Sequence, residues 1–361
     1  MSGLFLRDDA LTDVTAAARH AAALPSSEWF SRATWQHCAA AGLTGRPLDA
    51  QWGGRGDTLL DTAAAFASFG RAGAPPGLVF ALGAQLWSVT MVIARFGSDA
   101  QHHRWLAPLC TGEVTGAHAM TEPGSGSDAF SLATIARDDG EHVVLDGAKT
   151  FVTNGPSGDV FVVFATADRA LGWAGISAFL VERDTPGMMV GPVLATMSPS
   201  SAPLAEVVLD QCKLRAADRL GRAGSGMSIF TYAMELERSM LAAGMVGITE
   251  CRLRAVLGGR PAPVLADAAA GLWSRSQTTR LLIERAATRL DQGRKAPVES
   301  ALAKLSASEL WYDAAQLSTL DGGARSMLAG GADDLADAVS TRIYSGTSQI
   351  QRDVLGRKLG L

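Results

Sequence analysis

Cysteine is scarce in this 361-residue chain, and the four that occur (Cys38, Cys110, Cys212 and Cys251) are far apart, with no CxxC and no metal-like partner spacing. That excludes a disulfide scaffold and a thiolate metal site, and the set reads as reduced thiols of a cytoplasmic protein. Positive charge is not in excess: the net charge is −4, which excludes the basic footprint of a nucleic-acid binder. No signal peptide is expected, because the start, MSGLFLRDDALTD, is short and acidic. Charge is missing altogether between Arg71 and Arg95, where GLVFALGAQLWSVTMVIA is long enough to span a bilayer. Two prolines precede that run, Gln85, Ser88 and Thr90 interrupt it, and no basic cluster flanks it. It is read as a buried helix, and no membrane association is expected.

What is present divides into three zones. Residues 1–113 are Ala-rich and helical in period. Residues 114–222 switch to strand-and-turn patterning in HVVLDGAKTFVTNG, DVFVVFATAD and ISAFLVERDTPG. Residues 223–361 return to helix, over 226–257, 264–292, 299–320 and 331–358, which predicts a C-terminal bundle of four helices. The fold class is therefore α+β, mostly α.

One helix carries a conflict. In MELERSMLAAG, Glu235 and Glu237 project about 160° apart at ~100° per residue. Neighbours of Glu235 on its face include Thr231, Tyr232, Arg238 and Ser239, which suits an exposed carboxylate beside a cation. Neighbours of Glu237 are Phe230, Ala233, Met240, Leu241 and Gly244. A carboxylate on an apolar stripe is desolvated and raised in basicity, as a general base requires.

Four motifs stand in order along the chain: TEPGSGSD (121–128), KTFVTNG (149–155), LGRAGSG (220–226) and YSGTSQIQR (344–352). With RFGSDAQHHRWLAPLCTGE before them, they resemble the acyl-CoA dehydrogenase family over essentially the whole chain. The resemblance implies an N-terminal helical domain, a middle β-barrel, a C-terminal four-helix bundle, and FAD between barrel and bundle. By motif position, Met120, Thr121, Phe151, Val152 and Thr153 would meet the flavin ring. Gly126 and Ser127 match phosphate and substrate contacts, and Thr347 and Gln349 match contacts on the final helix. Thr319, Gly322 and Gly323 match an adenine-side loop in which Thr replaces the usual Gln. Ser127, Arg238 and Gly346 are the expected substrate contacts.

Most family members carry the catalytic glutamate where this chain has Ser345. A minority, isovaleryl-CoA dehydrogenase among them, carry it in a DLER motif on the first bundle helix. ELER (235–238) aligns Glu237 with that base, so the resemblance and the helical face select one residue. Ser345 then contributes its backbone N–H to the enolate oxygen, a role insensitive to its side chain. The implied reaction is removal of the α-proton of an acyl thioester with hydride transfer to flavin N5.

Departures bear on the substrate. VLGGRPAPVLAD (256–267) is shorter than the family's R-x-x-FG segment near the carrier entrance. This suits a pantetheine arm on an acyl carrier protein as well as free CoA, and resembles dehydrogenases that make hydroxymalonyl or methoxymalonyl polyketide extender units. A homodimer or homotetramer and an electron-acceptor protein are implied partners. Two other readings stay open: a flavin oxidase or monooxygenase on the same fold, and an inactive flavin-binding relative.

Overall fold

The structure, a computed structural model, describes residues 11–138, 140–197, 201–259, 261–328 and 331–361, with side chains except over 322–332. The N-terminal region holds α1 (Thr12–Ala23), α2 (Arg32–Ala40), α3 (Leu59–Arg71), α4 (Pro76–Gln85), α5 (Met91–Phe96) and α6 (Asp99–Thr111). Local chemistry sets these boundaries. Thr58 caps α3 by accepting from Asp61 N–H at 3.0 Å, and Pro75-Pro76 opens α4, where a missing N–H costs nothing. A capping box of Ser98 and Gln101 starts α6, which ends at Gly112 with φ +73°.

The uncharged run forms α4 and α5 joined by a π-helical turn, Leu86–Thr90, closed by a bond from Met91 N–H to Leu86 C=O. By length and composition Pro76–Phe96 could cross a membrane, yet most of it is buried inside the protein. Each side chain of the π turn is buried. Trp87 lies against Phe66 of α3, with ring centroids 5.9 Å apart. Val89 packs at Gly116, where a Cβ would meet its Cγ1 at 2.6 Å.

Eight strands follow: β1 (Gly116–Ala119), β2 (Ile135–Asp138), β3 (His142–Thr153), β4 (Val160–Thr166), β5 (Ile176–Glu182), β6 (Met188–Val190), β7 (Leu204–Arg215) and β8 (Arg219–Leu220). They pair in the order β6-β7-β3-β2-β4-β5-β8, with β1 parallel to β4. The expected barrel is thus an open path between β6 and β8 among the described residues, although β1 to β7 share one apolar interior. Alternation explains why β4 is buried throughout and apolar up to Ala165. Phe161, Val163 and Ala165 face that interior, while Val160, Val162 and Phe164 face a second core shared with α5, α6 and the first C-terminal helix.

The C-terminal region holds α7 (Gly226–Gly258), α8 (Pro263–Asp291), α9 (Pro297–Leu328), α10 (Gly331–Thr341) and α11 (Ser348–Leu359). The single helix expected over 331–358 is broken, because Ser345 and Gly346 take left-handed backbone (φ +55° and +87°). Thr319–Gly323, expected as a loop, lies inside α9.

α7 is held by close backbone contact. A Cβ on Gly247 would sit 2.0 Å from the Ala67 carbonyl oxygen of α3, one on Gly70 would sit 2.6 Å from that of Gly244, and one on Gly83 would meet Leu241 Cδ2 at 2.4 Å. These glycines fix the height and rotation of α7 against α3 and α4. Gly247→Ala is therefore expected to destabilise by about 1–3 kcal/mol through overpacking, overriding the ~1 kcal/mol that alanine gains in a helix. Gly271→Ala, in α8 with no atom within 4 Å of the added methyl, should instead stabilise by up to about 1 kcal/mol. Urea midpoints at constant m-value decide, and equal shifts of the two variants would refute the close-contact account.

Candidate active site

Three separate pieces of chain converge on Glu237. The residue is only 6% exposed. Its Oε1 accepts from the Ser345 hydroxyl, and its Oε2 accepts from the Ser88 hydroxyl on the π turn. Burial pushes its carboxyl above the ordinary range, opposed by the two hydroxyls and by the charges of Arg238 and Lys304. The outcome is a carboxylate of raised proton affinity whose plane is fixed from both sides.

Ser345 belongs to the turn between α10 and α11, which is built around its carbonyls. Arg238 Nε donates to Ser345 C=O at 2.9 Å. Lys304 Nζ donates to Gly346 C=O at 2.8 Å. Gln351 Nε2 donates to both, at 3.3 and 2.9 Å. The Lys304 side chain is buried in α9, and burial pushes its ammonium down to about 7, with Arg238 adding to the effect. A Cβ on Gly346 would meet Gln351 Nε2 at 2.8 Å and Arg238 Nη2 at 3.1 Å, so glycine is needed there. Tyr344 stacks on Phe80 of α4, with centroids 4.0 Å apart, and its phenol is raised well above its ordinary value by burial. Among the described residues, no acceptor takes the N–H of Ser345.

A separate cluster lies at the loop after β1. Lys149 of β3 is fully buried and donates to Glu122 Oε1 at 2.7 Å and to Met120 C=O at 3.2 Å. Burial alone raises Glu122; Lys149 and the N–H groups of Ala133 and Thr134 more than reverse this, and its carboxyl lies below the ordinary range. Burial lowers Lys149 to about 8 against the pull of Glu122. The pair ties the Thr121–Asp128 loop to β3, and Thr150 N–H closes the junction on Thr121 C=O at 2.9 Å. Beside it Phe151 takes left-handed backbone (φ +53°) and leaves its ring 62% exposed. Gly126 and Ser127 are exposed in the same loop.

The domain profiles of one family cover this architecture: "Acyl-CoA dehydrogenase, N-terminal domain" matches residues 9–113, the middle domain 117–212 and the C-terminal domain 224–360. The chain belongs to the acyl-CoA dehydrogenase family. Among its relatives, an "L-prolyl-[peptidyl-carrier protein] dehydrogenase" of a Serratia species is 33% identical over 349 residues, covering 93% of this chain and 90% of that protein. The solved structure of the prolyl acyl carrier protein oxidase AnaB superposes with TM-score 0.91 at 32% identity, over 97% of this chain and 98% of the other. PigA with FAD and proline superposes with TM-score 0.92 at 30% identity, over 99% of each.

Several expectations from the sequence need correction. Glu235 is not an exposed partner of Arg238. It is also 6% exposed, accepts from Ala296 N–H at 3.4 Å, and is raised by burial, because the start of α9 covers that face. Arg238 serves the turn carbonyl instead. The Ser345 side chain does matter, since it binds Glu237. Val152 turns into the barrel interior, which leaves only its backbone for a cofactor. The expectations at Thr347 and Gln349 are not contradicted: Thr347 accepts from Ile350 N–H at 3.2 Å as the cap of α11, and Gln349 is exposed. Thr319 donates to Ala315 C=O at 2.9 Å on its own helix; Gly322 and Gly323 continue that helix, within the span whose side-chain surroundings are not described. Motif matching passed over Ser88, Lys304, Gln351 and the Lys149–Glu122 pair. For Ser88 the signal in the sequence was a polar residue inside an apolar run, whereas Glu122, Lys149 and Gln351 lie inside the family motifs themselves.

The raised proton affinity of Glu237 has a consequence for stability. A carboxyl whose folded pKa exceeds its unfolded value contributes stability below that unfolded value, and the contribution is lost as pH rises through the folded pKa. Glu237→Gln removes this titration. The Tm of Glu237→Gln minus that of the wild type should therefore grow as pH rises from about 4.5, the ordinary carboxyl value. Paired melting curves between pH 4.5 and 8 test this, and a pH-independent difference would contradict it.

Proposed function

We propose that the chain is an FAD-dependent dehydrogenase of short acyl thioesters held on a carrier protein, with Glu237 as the base. The observation that supports this most strongly is the buried Glu237 carboxylate beside the unengaged N–H of Ser345. Glu237 takes the α-proton, and burial raises its affinity for it. The Ser345 N–H stabilises the charge that develops on the thioester oxygen. Phe80, Tyr344 and the apolar face of α7 exclude water, which strengthens both interactions.

The residues present fit a flavin. Phe151 offers an exposed ring from a left-handed residue, and a Cβ on Gly126 would meet nothing closer than Thr121 Cγ2 at 3.9 Å. Neither feature serves the packing of the protein itself, and both leave room for a flat group. Met120, Thr121, Phe151 and Thr153 would hold its ring, and Gly126, Ser127 and the 347–349 segment its remainder. Bound FAD supplies the hydride acceptor. Glu237→Gln should keep flavin bound while reduction by substrate falls by about 10²–10⁴-fold or more. Rapid-mixing measurement of flavin bleaching decides it, and reduction at the wild-type rate would remove Glu237 from the role.

The likeness to prolyl-carrier-protein enzymes supports a carrier-bound substrate and favours a prolyl group over a hydroxymalonyl extender unit. The charges that reach Glu237, those of Arg238 and Lys304, are already engaged by backbone carbonyls, so a second acyl carboxylate finds no ready partner there. Prolyl-carrier thioester should be processed with at least tenfold higher kcat/KM than prolyl-CoA or hydroxymalonyl-carrier thioester. Equal values across the panel would defeat both the carrier and the acyl assignment. An oxidase is the second reading, supported by the likeness to AnaB. Stoichiometric peroxide formed in air without another acceptor would favour it.

A further inference from the structure

Glu237 receives one hydroxyl on each of its two oxygens, and the two donors come from opposite ends of the sequence. Ser345 is fixed by the cation-held turn already described. Ser88 is fixed by the π turn, whose wider winding spreads five buried side chains among separate neighbours. Trp87 goes to α3, Val89 to β1, and Ser88 to α7. Single π turns inside α-helices recur where a side chain must be re-aimed, and here the re-aimed group is a hydroxyl in contact with a carboxylate.

A hydroxyl both donates and accepts, whereas a carboxylate only accepts. While Glu237 is ionised, Ser88 and Ser345 donate to it. Once Glu237 has taken a proton, its new O–H needs an acceptor, and either serine oxygen provides one by rotating its own hydrogen away. No heavy atom has to move between the two states. A carboxylate buried without such partners would be unsatisfied in one state or the other, at substantial cost.

Resting on the reading of Glu237 as the base, we propose that Ser88 is a positioning residue for the reaction: its hydroxyl holds the plane of the Glu237 carboxylate and reverses its hydrogen bond when that carboxylate is protonated. Among the described residues, the other charged or titratable groups facing Glu237 are Arg238 on its own helix, Lys304 on α9 and Tyr344 on the turn. Ser88 is the contribution of the N-terminal helical region.

The test compares Ser88→Ala with Ser88→Thr in the flavin-loaded enzyme. Loss of a donor to the ionised form makes deprotonation of Glu237 harder. The rising limb of the flavin-reduction rate against pH should move up by about one pH unit in Ser88→Ala, a tenfold loss of rate below the limb. Ser88→Thr should restore the wild-type limb. A second readout needs no turnover: the infrared carbonyl band of protonated Glu237, assigned by its loss in Glu237→Gln, should persist to higher pH in Ser88→Ala only. A limb and a band both unmoved in Ser88→Ala, or moved equally by Ala and Thr, would overturn the proposal. Failure of the base assignment is separate, because Glu237→Gln would then reduce at the wild-type rate whatever Ser88 does.

Discussion

A carboxylate buried on an apolar helix face has to be met by hydrogen bonds, and the middle of this protein is arranged around that requirement. Removing an isolated carboxylate from water costs several kcal/mol. The hydroxyls of Ser88 and Ser345, with Arg238 and Lys304 nearby, offset part of that cost for Glu237. Those donors are useful only if they arrive in register, so the π turn, the broken last helix and the rotation of α7 become parts of one solution. The glycine contacts of α7 with α3 and α4 hold that register.

The same arrangement separates two electrostatic tasks. Arg238 and Lys304 act on backbone carbonyls rather than on Glu237 directly. They fix a left-handed turn in which Gly346 is favoured but Ser345 is not, and their charge reaches the carboxylate without forming an ion pair that would quench its basicity. Direct contact is left to neutral hydroxyls, which orient the group and lower its proton affinity less than a cation would. The Lys149–Glu122 pair plays a contrasting part at the loop after β1. There a full ion pair with extra N–H donors holds a loop in place, and reactivity is not needed.

The acyl-CoA dehydrogenase fold supplies the scaffold common to the relatives, and the choices at individual positions distinguish this chain within it. Serine at 345 and glutamate at 237 are complementary, because the two side chains touch. A carboxylate at both positions would set like charges against each other. The exposed ring of Phe151 and the open space at Gly126 are likewise departures from good self-packing.

The sequence by itself determined the order of helical, strand and helical regions and the family, because hydrophobic period and turn chemistry are local and the four motifs are contiguous. It also determined which glutamate lies on the apolar stripe of α7, since helical phase alone separates residues 235 and 237. It could not determine that Glu235 is buried as well, because the covering atoms belong to Ala296, about sixty residues on. Nor could it show that the last helix breaks at Ser345, that Thr319–Gly323 stays helical, or that Arg238 turns to a carbonyl. Those outcomes depend on partners far along the chain. The hydroxyl of Ser88 is the clearest case: in the sequence it is one polar residue in an apolar run, and only the tertiary structure brings it to a carboxylate 149 residues away.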